Sequence, residues 1–75
     1  MNQDQKTREV VIILNGDERR VPADLSVSDL LDELGLEAGM VVVEVNREIL
    51  RRDTLSDVEV LGGDRIELVH FVGGG

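Results

Sequence analysis

Three glycines, Gly73-Gly74-Gly75, follow the apolar run Val69-His70-Phe71-Val72 and close the sequence. Residues without a Cβ can lie extended in a channel too narrow for any side chain. Three of them reach roughly 10 Å, at about 3.3–3.6 Å each. What they would carry to the far end is the α-carboxylate of Gly75, a group that is ionised at neutral pH because its ordinary pKa is about 3.3–3.7. The plainer alternative is a frayed end, since disorder concentrates at termini. A linker normally leads to something, whereas these glycines are the final residues, so the carboxylate itself is the expected functional group.

Other candidates offer less chemistry. His70 is the only histidine and there is no cysteine, so nothing completes a metal site or a nucleophilic pair around it, and packing at a strand end is its expected role. Asp29, Asp32, Glu33 and Glu37 suggest paired carboxylates or a calcium loop, but their helical spacing places them opposite an apolar stripe, as on a solvated face. Gly62-Gly63-Asp64 lacks the Lys-Ser/Thr and following helix of a phosphate loop, and reads as a tight turn. Arg47, Arg51 and Arg52 fit either an acidic partner or local charge balance.

Seventy-five residues suffice for one small domain with a thin core. Sixteen acidic against eight basic residues give a net charge of −8. That surface repels phosphate backbones and anionic membranes, so neither nucleic acid nor a bilayer is an expected partner. It suits a protein with a basic docking face. The polar N-terminus has no signal-peptide pattern, and no run of about 20 apolar residues exists. A soluble, cytoplasmic protein is expected.

The elements that must position the tail can be read in order. Residues 10–14 form an apolar β-branched run that stops at Asn15-Gly16-Asp17, and residues 19–21 read as a short returning strand ended by Pro22. Ser26 is a candidate N-cap with Asp29 in the capping-box position. Val27, Leu30, Leu31 and Leu34 then make one helical stripe, and Gly35 sits at a left-handed C-cap with Leu36 folding back. Residues 40–45 form a valine-rich strand that breaks at Asn46-Arg47, with residues 48–51 as its short partner. Residues 54–59 make a turn or helical loop anchored by Leu55 and Val58, and residues 65–72 form the closing strand.

The ββαβββ order predicts an α+β fold of the β-grasp type, a mixed sheet of four to five strands around one helix. The expected organisation is a disordered polar extension over residues 1–9, the domain over 10–72 and a flexible tail over 73–75. In the last strand, alternation puts Ile66, Leu68 and His70 on one face and Arg65, Glu67, Val69 and Phe71 on the other. The charged pair marks the second face as wet, so Val69 and Phe71 are expected to stand exposed beside the tail as a docking patch.

These features resemble the ThiS family, ubiquitin-fold sulfur carriers of thiamine thiazole synthesis. The resemblance spans residues 10–75 and rests on the element order and on the ending Val69-His70-Phe71-Val72-Gly73-Gly74-Gly75. Asn15, Asn46 and Gly63-Asp64 also stand where the family pattern has them. The polar extension and the arginine-rich residues 47–52 depart from it. The resemblance implies a protein cosubstrate rather than an enzyme, binding no cofactor itself. A ThiF-like adenylyltransferase would use ATP and magnesium to adenylate Gly75. A cysteine desulfurase would supply sulfur, and the resulting thiocarboxylate would serve a ThiG-like thiazole synthase. Gly73 and Gly74 would thread the tail, and Val69, Phe71 and Val72 would dock the partner. A terminal Gly-Gly is shared with molybdopterin-type carriers and ubiquitin-like modifiers, and an inert β-grasp interaction domain stays open beside them.

Overall fold

The first strand, β1 (Glu9–Leu14), begins one residue before the apolar run that marks it in the sequence. In this computed structural model, which describes residues 8–71, Arg8 already belongs to the fold. Its carbonyl accepts from Ala23 N–H at 3.1 Å, and its guanidinium pairs with Asp24 at 2.8 Å. The extension expected over residues 1–9 is therefore corrected at Arg8 and Glu9, which cross-strand pairing holds in place. Residues 1–7 and 72–75, with the expected tail, lie outside the described residues.

Asn15 and Gly16 both have positive φ, 51° and 90°, the handedness that matches the twist of a two-residue hairpin. Pairing with β2 (Asp17–Pro22) resumes at once, in the register Leu14↔Asp17 through Glu9↔Pro22. This strand is twice the expected length. Its charged residues, Asp17 to Arg20, conceal it because β2 is a sheet edge, where charge blocks pairing with other chains.

Helix α1 (Val27–Glu33) starts as the sequence dictates. Ser26 Oγ accepts from Asp29 N–H and Asp29 Oδ2 accepts from Ser26 N–H, each at 3.0 Å. At its end Gly35, at φ 73°, donates to Asp32 O while Leu36 N–H folds back to Leu31 O at 2.9 Å. Both bonds close the last turn of the helix in the manner of a left-handed cap. Val27, Leu30 and Leu31 are buried to 1% exposure or less.

A short 3-10 turn at Ala38–Met40 removes Met40 from the expected strand, so β3 runs Val41–Val45. Its alternate residues Val41, Val43 and Val45 face the core. Asn46 and Arg47, at φ 51° and 75°, turn it into β4 (Glu48–Ile49). The next 3-10 segment, Arg52–Asp57, begins two residues earlier than expected, with Thr54 Oγ1 donating to Arg51 O. Leu55 is its buried anchor. Beyond it, Val27 N–H donates to Val58 O and Val60 N–H to Leu25 O, each at 2.8 Å, tying the start of α1 to this loop.

The last strand, β5 (Arg65–His70), lies in the middle of the sheet. The order is β2-β1-β5-β3-β4, with β5 parallel to β1 and antiparallel to β3. This is the β-grasp arrangement. Ile12 and Ile66, both fully buried, meet the Leu30/Leu31 stripe of α1 in the core.

Candidate functional site

The strand that leads to the glycines is held by three polar side chains from separate turns. Asn15 Oδ1 accepts from Leu68 N–H at 2.7 Å. Asn46 Oδ1 accepts from Arg65 N–H at 3.0 Å, and Asn46 Nδ2 donates to Asp64 Oδ1 at 3.0 Å. The second carboxylate oxygen of Asp64 accepts from Leu61 N–H at 2.8 Å, closing the turn over Gly62-Gly63. Phe71 N–H donates to Met40 O at 2.8 Å, fixing the last described residue against the sheet. Together these bonds set the register and direction of β5 where the chain leaves the sheet.

Asn46 combines two requirements, a left-handed backbone and a side chain that both donates and accepts. Asn46→Ala is accordingly expected to cost about 1–3 kcal/mol, from strained φ and from the loss of two side-chain hydrogen bonds. Urea melts at a common protein concentration measure this. A change within the roughly 0.5 kcal/mol of an ordinary surface substitution would show that Asn46 does not secure the strand.

On the outer face Val69 is 60% and Phe71 42% exposed, as the alternation requires. Two further residues extend the strip. Val42 stands directly opposite Val69, and Ile49, 68% exposed, stands opposite Glu44 on the same face. Neither was singled out from the sequence, although period two places Val42 and Glu44 together. Phe71 also borders a shallow cavity of about 140 Å³ with Val41, Val43, Leu55 and Arg52 among its walls. It is thus half rim and half surface, less fully exposed than the alternation alone implies.

The remaining candidates are dispersed. His70 is exposed at the end of β5, opposite Val41. Asp29, Asp32, Glu33 and Glu37 are all exposed around α1. Among the described residues no group of three or more His, Cys, Asp or Glu side chains is placed to hold a metal ion. Arg51 grips Asp53 through two nitrogens at 3.2 Å, Arg47 forms the β3–β4 turn, and Arg52 flanks the cavity. Val72, Gly73, Gly74 and Gly75 lie outside the described residues.

Residues 5–75 match the ThiS family. The chain belongs to the ThiS family. Its relatives include the sulfur carrier protein ThiS of Bacillus subtilis, 43% identical over 63 residues that make up 83% of this chain and 96% of that protein. A thiazole synthase of Paramagnetospirillum magneticum is 42% identical over 64 residues, 85% of this chain but 20% of the relative. The chain therefore spans a fifth of that relative's length and nearly all of the Bacillus ThiS. The crystal structure of the thiamine biosynthesis protein ThiS from Geobacter metallireducens superimposes with a TM-score of 0.76 at 35% identity, over 88% of this chain and all of that one. No helix of the described residues is long and apolar enough to cross a membrane.

Proposed function

We propose that this protein is the sulfur carrier of thiamine thiazole synthesis, with Gly75 as the carrying residue. The observation that carries the reading is the 43% identity to a sulfur carrier of nearly equal length. A carboxylate resists nucleophilic attack because it is negatively charged and oxide is a poor leaving group. A ThiF-like partner overcomes both with ATP and magnesium, forming an acyl-adenylate at Gly75 and releasing pyrophosphate. A persulfide derived from a cysteine desulfurase then attacks the carbonyl carbon and expels AMP. Cleavage of the acyl disulfide by a second thiol, itself oxidised, leaves the thiocarboxylate. The chain has no cysteine, so the activated carbonyl meets no thiol of its own. It contributes no acid, base or nucleophile and is a cosubstrate, not an enzyme.

Thiazole synthase is the proposed acceptor, supported by the thiazole synthase that contains a ThiS-like stretch within its own polypeptide. Val42, Ile49, Val69 and Phe71 form the docking strip, and Val72, Gly73 and Gly74 lead the carbonyl from it into the partner's channel. Intact-mass analysis of the protein isolated from its native cell tests the function. A species heavier by the difference between sulfur and oxygen is expected. Attachment of a whole second protein would indicate a modifier instead, and the unmodified mass alone would favour an inert domain.

Phe71→Ala separates docking from folding. It is expected to lower stability by only about 1 kcal/mol, well short of the 3–5 kcal/mol typical of a buried Phe, while weakening the adenylyltransferase complex about tenfold or more. Denaturant melts and partner titrations supply the comparison. A core-sized stability loss with unchanged affinity would assign Phe71 to the cavity instead of the interface.

A further inference from the structure

On its β3 side β5 is paired along its whole length, but on its β1 side only as far as Leu68. Asn46 N–H to Arg65 O and Phe71 N–H to Met40 O, both 2.8 Å, bracket the ladder with β3. Antiparallel alternation then directs the backbone groups of residues 65, 67, 69 and 71 toward β3. Those of 64, 66, 68 and 70 face β1. There Asp64 O accepts from Ile13 N–H and Ile66 O from Asn15 N–H, and Leu68 N–H is taken by the Asn15 side chain. β1 pairs no further than Leu14↔Ile66 and turns away into β2. Among the described residues, the Leu68 carbonyl and both backbone groups of His70 therefore have no partner strand. His70 is exposed, so this is an open sheet edge within the fold's central strand.

We propose that this edge receives an extended strand of the adenylating partner, which lengthens the sheet across the interface. The proposal rests on the carrier reading and adds to it how the tail is aimed. Unpaired N–H and C=O groups in strand register recognise extended backbone whatever its side chains. The neighbouring charges state what those side chains must be. Glu67 lies directly opposite Glu44, a like-charge pairing that a sheet disfavours, and neither is in an ion pair among the described residues. A Lys or Arg beside Glu67 and an apolar residue beside Val69 would complete that outer face. A second copy is a poor occupant, because it brings the same glutamates in a chain of net charge −8. A strand bonded at Leu68 and His70 ends three positions before Gly73, and so fixes the line along which the glycines enter the partner's active site.

Amide hydrogen exchange on the full chain, alone and bound to the cognate adenylyltransferase with ATP and magnesium, reads the edge directly. Alone, His70 N–H is expected to exchange far faster than Val69 and Phe71 N–H, which face β3. In the complex its exchange should slow by at least about tenfold. A paired variant tests the same group. His70→Pro deletes the N–H on the open side, a place where a strand tolerates proline, whereas His70→Ala keeps it and removes only the imidazole. The complex should be weaker with H70P than with H70A by on the order of tenfold, the range of one lost amide hydrogen bond. If H70P also lowers the melting temperature, the exchange measurement on the unmodified chain decides. An unprotected His70 amide in a complex that adenylates Gly75 overturns strand addition and leaves the carrier reading standing. A chain that is neither bound nor adenylated defeats the carrier reading, and strand addition with it.

Discussion

A chain extended by one residue beyond Gly75, or shortened by Gly75, is expected to form no acyl-adenylate while folding as before. On the proposed mechanism the attacking carboxylate oxygen has to reach the α-phosphate of ATP inside the partner, and the carbonyl that later takes sulfur has to be the last one in the chain. An added residue moves the carboxylate by about 3.3–3.6 Å and, unless it is glycine, brings a Cβ into the proposed glycine-width channel. A displacement of about 1 Å already costs on the order of a hundredfold when reacting groups must be aligned, so activity should fall below detection. The fold should not respond. Its fully buried side chains, Ile12, Val27, Leu30 and Ile66 among them, lie in elements that end at His70. ATP–pyrophosphate exchange with the cognate adenylyltransferase measures the first effect and circular dichroism the second. Normal exchange by the extended chain would remove the terminal carboxylate from the mechanism.

How much of this could be read from the residues depends on how far apart the interacting groups lie in the chain. Helix α1 was legible almost to the residue because Ser26, Asp29 and Gly35 act within a turn of their own position. The hairpin turns at Asn15-Gly16 and Asn46-Arg47 were legible for the same reason. Strand β2 is longer than its residues suggest because its edge position makes charge acceptable, and edge position is a property of the finished sheet. The central place of β5 has no local signal; its partners, Ile13 and Leu14 on one side and Val41 to Val45 on the other, come from distant segments.

The same distinction divides the candidate site. Exposure of Val69 and Phe71 followed from alternation within one strand. Their joining with Val42 and Ile49 required the pairing of three strands. Asn15, Asn46 and Asp64 stand where the ThiS pattern has them, but their work is done across long gaps. Asn46 reaches Asp64 and Arg65, 18 and 19 positions away, and Asn15 reaches Leu68, 53 positions away. A side chain that replaces a missing strand, as Asn15 does for Leu68, has no local signature beyond a turn-forming asparagine. The open edge beside His70 was hidden for that reason too.

Gly74→Ala leaves the Gly75 carboxylate chemically intact, so any loss of activation must come from shape. The added methyl enters a channel that glycine alone would fit, and alanine strongly disfavours positive φ if the bound tail adopts it. Each 1.4 kcal/mol of clash felt in the transition state lowers the rate about tenfold. A steep fall in adenylate formation is therefore expected, by about a hundredfold if two such increments act together. Gly73→Ala should fall less, since Gly73 is one residue further from the reacting carbonyl. The initial rate of adenylate formation is the measurement, with melting temperature as the folding control. Both variants should melt with the unmodified chain, because residue 74 follows the last strand, Arg65–His70. The order of the two rates matters as much as their size. Equal, undiminished rates would mean that the glycines serve only as a loose tether, and that orientation is set entirely upstream, by the apolar strip and the edge of β5.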